Sequence, residues 1–281
     1  MIGNAFAFVG ADAAFHLAEE IHNPSIVVPR SIMTGIMLNG TLGLAMVIGI
    51  CFSLASLPQG DIQFIFPIID IFYAVTKTKA GTAAMGSIVV TLAICATVGL
   101  YVSTSRVLWS FARDRGVPFW RTVSQVTQGG KVPVWAISVT GVITCLLTLI
   151  NIGSDVALND VLSLSISCLY LSYLLVLGFL LYRRLTGAIA VPTTGAPEKI
   201  SPDHLVWGPW RISGVAGTVN NVLACLYLIL ILFFSFWPPS TPVQPASMNY
   251  SVLVTGSVII FSLGYYFVLA KKVYNGPVIE V

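Results

Sequence analysis

The sequence predicts an all-α integral membrane protein with seven transmembrane helices, and three observations carry that prediction. Hydrophobic residues make up 56% of the 281 and charged residues 9%, with a mean hydropathy of +0.89, a composition that belongs to a bilayer rather than to water. The apolar residues fall in long continuous runs, not the ~10-residue segments of alternating polarity that build a membrane barrel. Helices are then the structure that satisfies every backbone group inside hydrocarbon. Lys and Arg gather between alternate runs, as expected where basic loops stay on the cytoplasmic side.

The predicted spans, in order, are a short Gly3–Ala18, then Ser31–Leu57, Gly81–Val107, Pro133–Ile150, Val156–Tyr182, Ile212–Trp237 and Ser251–Ala270. Most reach the roughly 20 residues that cross about 30 Å of hydrocarbon at 1.5 Å per residue. Arg30 follows the first run; Arg106, Arg113, Arg115, Arg121 and Lys131 follow the third; Arg183, Arg184, Lys199 and Arg211 follow the fifth; Lys271 and Lys272 follow the last. The intervening loops hold only Lys77 and Lys79. This alternation orients all seven spans consistently, with the N-terminus outside and the C-terminus in the cytoplasm.

Between the second and third spans, Pro67–Thr76 has helical apolar spacing in a segment too polar to cross, and predicts an external helix lying on the bundle. Arg183–Arg211, containing "VPTTGAPEKISPDH", is a Pro/Gly-rich connector that divides five spans from two. A second Pro-rich loop, "PPSTPVQPASMN", carries the sequon Asn249-Tyr250-Ser251, which lies too near the final span to weigh heavily.

The net charge of +3 follows from topology and calls for no nucleic-acid partner. Cys51, Cys95, Cys145, Cys168 and Cys225 all fall within apolar runs, where they read as small packing or lipid-facing residues rather than disulfide or metal partners. Met1 opens into a span with no basic segment before it and no cleavage site behind it, so no signal peptide is expected. There is no HExxH cluster, GxSxG turn or Gly-rich phosphate loop, so neither an enzyme nor a cofactor or metal site is expected.

The charged residues inside "VGADAAFHLAEEIHNP" need a separate explanation, because an ionisable group at membrane depth costs at least ~2.5 kcal/mol. Glu19 and Glu20 precede "NPSIVVPR", read as the end of the helix at the cytoplasmic face. Asp12 lies more than a turn deeper, after Gly10 and among Ala11, Ala13 and Ala14. Small residues there permit close packing or local unwinding, and an unwound backbone lining a cavity is one way secondary transporters build a site.

"FVGADAAFHLAEEIHNPSIVVPRSI" resembles the sixth helix and following loop of the amino acid-polyamine-organocation superfamily, in particular the fungal amino acid/choline/GABA permeases. "STSRVLWSFARDRGVPFW", Ser103–Trp120, is similar to the cytoplasmic loop after the eighth helix of the same family. The resemblance covers essentially the whole chain. It implies a leucine-transporter-type twelve-helix bundle, of which this chain holds helices 6 to 12. Residues 1–182 would be the second five-helix inverted repeat, 183–211 the connector and 212–281 the two appended helices. It further implies a secondary active permease for amino acids or amines such as GABA or choline, proton-coupled and in the plasma membrane. The alternative is a non-transporting remnant, or a half that depends on the missing N-terminal half as its partner.

Carried over by position, the resemblance places Phe6, Phe8, Gly10, Ala11, Asp12 and Tyr101 at the substrate. An aromatic face would hold an amine by cation–π attraction of ~0.5–2 kcal/mol, and Asp12 is also the proton-coupling candidate. Glu19, Glu20, Arg106, Arg113 and Asp114 are candidates for a cytoplasmic gate. His16 reads as hydrogen-bonded to a neighbour and stays outside the proton pathway. Ser103, Thr104 and Ser105 read more readily as hydroxyls bonded within their own helix than as cation ligands.

Overall fold

The computed structural model describes residues 6–18, 21–55, 67–127, 129, 132–153, 155–191, 205–238, 243, 248–274 and 276. In chain order its helices are α1 (Ala13–His16), α2 (Pro24–Ala55), α3 (Pro67–Thr76), α4 (Lys79–Arg113), α5 (Trp120–Val123), α6 (Val134–Gly153), α7 (Asp155–Leu185), α8 (Gly214–Ser235) and α9 (Ser251–Val268). A 3₁₀ turn, Ala270–Lys272, follows α9. The chain is an all-α integral membrane protein in its main lines. Five helical stretches are long and apolar enough to cross a bilayer: Pro24–Leu54, Lys79–Arg113, Asp160–Leu185, Gly214–Ser235 and Ser251–Lys272. The apolar part of α6, Val134–Ile150, is shorter.

The first predicted span is corrected most. Among its described residues, 7–12 form turns, and only Ala13–His16 is a helix with a range of its own. The bonds Val9 N–Phe6 O (3.1 Å), Ala13 N–Gly10 O (3.1 Å) and Phe15 N–Asp12 O (2.8 Å) close over three residues rather than four. Gly10, at φ +93°, adopts a backbone that interrupts a right-handed helix and that glycine takes without a Cβ penalty.

"NPSIVVPR" likewise starts a helix instead of ending one. Asn23 turns the chain at φ +54°, and its carbonyl accepts from the amides of Ile26 and Val27 (3.2 and 3.1 Å). Pro24 opens α2, where its fixed φ suits the first turn and its missing N–H costs nothing. Pro29, inside α2, forgoes one bond to the Ser25 carbonyl.

The stretch "RVLWSFAR", expected as loop, continues α4 to Arg113. Leu108, Trp109 and Ala112 recur at helical spacing and pack with Val117, Val123 and Ala136, so burial extends the helix. It ends in a Schellman turn: Gly116 N bonds Phe111 O (2.9 Å) and Arg115 N bonds Ala112 O (3.0 Å), with Arg115 left-handed at φ +64°. At its other end Thr78 caps α4, its Oγ1 accepting from Gly81 N at 3.2 Å.

The external-helix prediction meets a helix over the same residues, Pro67–Thr76, which packs on α4 and α2. The connector contains a two-residue parallel pair, β1 (Ile189–Ala190) with β2 (Leu205–Val206). Helices α7 and α8 form the main packed pair, with α9 against α7 and α6 between α4 and α7. Ile166 and Ile231, buried where α7 meets α8, receive Val9 and Tyr170. The cysteines are free; Cys51, Cys95 and Cys145 are exposed and Cys225 is buried.

Candidate functional site

The turn segment at residues 7–12 faces α2 and α4 across an open cavity of about 380 Å³. Phe8, Gly10 and Ala11 line it from the segment, Ser31, Gly35 and Asn39 from α2, and Ala96, Gly99 and Leu100 from α4. Ser31, Gly35 and Asn39 recur every four residues, so they share one face of α2, and that spacing is the sequence signal for this wall. A Cβ on Gly10 would sit 3.0 Å from Leu100 Cδ2, so glycine is needed here for closeness as well as for φ.

Asp12 is not among the residues that line this cavity. Its Oδ2 lies 3.4 Å from His16 Nε2, with the Asp12 side chain 26% exposed. Ala11 and Ala13, its neighbours in the chain, both line the cavity. Phe6 is about half exposed and is not part of the lining. Tyr101 also stands apart: its hydroxyl donates to Ile137 O at 2.6 Å and bears on Gly141, joining α4 to α6.

A second cavity, about 440 Å³, lies along the following residues of the segment and the far part of α4. Phe15, His16 and Ala18 form one wall, and Arg106, Trp109, Ser110 and Asp114 form the other. Two of the gate candidates, Arg106 and Asp114, thus share a cavity with His16. Arg113 stacks over Trp109 at 5.1 Å, whose Nε1 donates to Ser124 O at 3.1 Å. Glu19 and Glu20 lie outside the described residues.

Hydroxyls near the site stay largely within their helices. Thr104 bonds Leu100 O (2.8 Å) and Ser105 bonds Val102 O (2.9 Å). Asn249, the sequon residue, donates to Ser235 O at 2.8 Å and accepts from Ser251 N at 3.1 Å, so its side-chain amide is engaged in joining α8 to α9.

Long apolar helices beside a broken helical segment mark a multi-pass membrane protein. The amino acid permease family model matches residues 1–258, and the chain belongs to that family. It is similar to an uncharacterized amino-acid permease of Schizosaccharomyces pombe, 28% identical over 99% of this chain and 48% of the relative. A choline transporter of Saccharomyces cerevisiae is 26% identical over 98% of the chain and 46% of the relative. An amino-acid permease homologue of Oryza sativa is 24% identical over 99% and 51%. The chain therefore spans about half the length of these curated relatives. No solved structure matches it.

Proposed function

We propose that the chain provides one side of the substrate site of a secondary permease for an amino acid or amine, with choline and GABA as the leading candidates. The observation that carries this reading is the interrupted helical segment at Gly10, which lays Phe8 and irregular backbone along the cavity facing α2 and α4. Exposed peptide groups of a broken helix offer donors and acceptors to a polar ligand, and an aromatic face attracts a quaternary or protonated amine. Phe6 and Tyr101 belong to the same reading as second-line contacts. Asp12 is the proton-coupling group, and Arg106, Arg113 and Asp114, with Glu19 and Glu20, form the cytoplasmic gate. Transport is alternating access by rocking of helix groups, with no covalent step.

In this reading residues 1–182 correspond to helices 6 to 10 and 212–281 to helices 11 and 12, with 183–211 between them. The protein lies in the plasma membrane, N-terminal side outside and C-terminus cytoplasmic, following the basic loops. A second reading, a half that works only with a partner segment, is favoured by the exposure of α2 and α4, whose most apolar stretches bury no residue. Uptake of labelled choline, GABA and amino acids into cells or vesicles tests both. Uptake by the 281-residue chain supports the first reading. Uptake only when the N-terminal half of a relative is co-expressed supports the second, and no uptake in either case defeats transport. Asp12→Asn is expected to remove the pH dependence of whatever uptake is found.

A further inference from the structure

We propose that the corner between α4 and α6 is an anchor for anionic phospholipid, in which Arg115 and Arg121 take headgroup phosphates and the Phe119 ring enters the apolar layer beside them. The inference goes beyond the proposed function and does not rest on it, since none of these residues is assigned to the substrate, the proton or the gate.

The corner is folded against the helix ends rather than hung from them. Val123 of α5, and Val117 before it, pack with Ala112 in the last turn of α4 and Ala136 in the first turn of α6. Trp109 Nε1 donates to Ser124 O at 3.1 Å and fixes the end of α5 to α4. The corner therefore sits at the depth where one apolar helix ends and the next begins, which is the membrane interface.

Phe119 is the residue that packing within the chain leaves unexplained. Its φ of +57° and ψ of +25° lie in a region that disfavours any side chain and a bulky one most. The turn needs that conformation, because it aims the Phe119 carbonyl at the amides of Thr122 and Val123, 3.0 and 3.2 Å away. It does not need the ring, since glycine adopts the same backbone without that strain. Yet the side chain is 83% exposed, so contacts within the chain do not offset the strain. An aromatic ring held outward at an interface is placed to meet lipid.

The charge beside it identifies the lipid. Arg115 lies over the Trp120 ring at 5.0 Å and Arg121 over the same ring at 5.3 Å, so one indole holds two guanidiniums close to Phe119 in the chain. Both arginines are exposed, and among the described residues neither forms an ion pair. Arg113, by contrast, stacks on Trp109, and Asp114 lines the cavity shared with His16. A guanidinium stacked on an aromatic face keeps its fork of donors for phosphate oxygens. An acidic peptide would also satisfy the arginines, but the bilayer lies at this depth already and offers phosphate and apolar layer side by side.

In the test, Phe119 is replaced by the photoreactive aromatic p-benzoylphenylalanine in the full chain, held in nanodiscs of equal parts phosphatidylcholine and phosphatidylserine. Illumination joins the ketone carbon to the carbon of a C–H bond within reach, the ketone oxygen taking up the hydrogen, and peptide mass spectrometry identifies the adduct. Phosphatidylserine adducts should exceed phosphatidylcholine adducts at least about fivefold, the effect of one basic residue near an anionic surface. Arg115→Gln and Arg121→Gln should each lower that ratio, and the two together should bring it near one, as should salt at about 1 M, which screens charges beyond about 3 Å. Arg183→Gln, which removes a basic residue from the last turn of α7, should leave the ratio unchanged.

Adducts to the chain itself or to a second copy overturn the proposal, because the ring then docks on protein. The absence of any adduct overturns it too, by placing the ring in water. Lipid adducts without preference for phosphatidylserine, or a preference that Arg183→Gln lowers as much as Arg115→Gln does, overturn the assignment of the charge to this corner. The substituted side chains are all exposed and the readout needs no transport, so a chain that takes up no amine defeats the proposed function while the lipid anchor is still decided.

Discussion

Thr41, Thr91 and Thr97, on α2 and α4, each give their hydroxyl to a carbonyl three or four residues earlier in the same helix. Ser167 on α7 and Ser235 on α8 also bond within their helices but in addition meet each other at 3.0 Å in a fully buried contact. The same contrast runs through the two regions. Along α7, α8 and α9, Asp160 Oδ1 accepts from Tyr250 N at 3.1 Å, Asn249 joins α8 to α9, and Arg184 donates to the Ile212 carbonyl while stacking on Trp207 at 4.6 Å. Around residues 7–18, α2 and α4 the most apolar stretches of the two long helices bury no residue, whereas those of α7, α8 and α9 do, and the segment's backbone bonds are irregular. With no hydrophobic force to pull helices together in lipid, close contacts and interhelical hydrogen bonds decide which helices move as a unit. The C-terminal three are sutured; the N-terminal elements are held by the ends of short contacts and keep room to rearrange.

The largest expected effect is at a suture. Gly217 on α8 is buried, and a Cβ there would run into the Ile212 carbonyl and the Arg184 guanidinium. Gly217→Ala should cost about 3 kcal/mol, at the upper end for overpacking, because backbone must move. Unfolding of the purified chain by denaturing detergent measures this. Gly35→Ala on α2, where a Cβ meets nothing within 4 Å, is the matched control and should lose less than about 0.5 kcal/mol. Comparable losses at the two sites would erase the contrast between the regions.

The break at Gly10 comes next. Gly10→Ala places a Cβ at φ +93° and 3.0 Å from Leu100 Cδ2, a strain of about 2 kcal/mol. Leu100→Ala in the same chain removes the contact but leaves the φ penalty, so it should recover only part of the loss. Full recovery would mean that crowding, not backbone conformation, requires the glycine.

Ser235→Ala removes one side of the buried pair with Ser167 and should cost about 1 kcal/mol. In a double-mutant cycle with Ser167→Ala, the coupling should be about 0.6 kcal/mol, as for hydrogen bonds between membrane helices generally. A coupling of zero would show that the two hydroxyls are satisfied by their own helices and that α7 and α8 are joined by packing alone.

Much of this architecture was legible in the sequence because hydropathy reports where side chains must lie. The runs that became α4, α7, α8 and α9 could be read directly, as could the helix at Pro67–Thr76. The first run could not, since hydropathy sums side chains while the fate of residues 7–12 is set by backbone torsion at Gly10. Pro24 shows the opposite case: it follows an apolar run as a helix stop would, yet it starts α2, which only the φ of Asn23 reveals. Of the candidate site, Asp12 was visible as a costly charge in an apolar run. The wall that α2 contributes, Ser31, Gly35 and Asn39, was not, because small and uncharged residues in an apolar run carry no such mark. Tyr101 shows the converse, an aromatic whose hydroxyl is engaged with the Ile137 carbonyl across helices.

The smallest effect sharpens the comparison most. Thr41 is exposed on α2 and its Oγ1 contacts the carbonyls of Met37 and Leu38, each at 2.9 Å. Among the described residues its hydroxyl meets no other helix, so Thr41→Val, equal in shape and β-branching, removes only a bond that already competes with the helix's own ladder. The expected change in unfolding free energy is within about 0.5 kcal/mol, against about 1 kcal/mol for Ser235→Ala. If α2 meets a further segment in the membrane, the Thr41 hydroxyl is free to take a second acceptor there, and the same substitution would then cost as much as the one in the suture. Thr41→Val therefore asks whether the exposed face of α2 ends at lipid or at protein, and it does so with a change too small to unfold the chain.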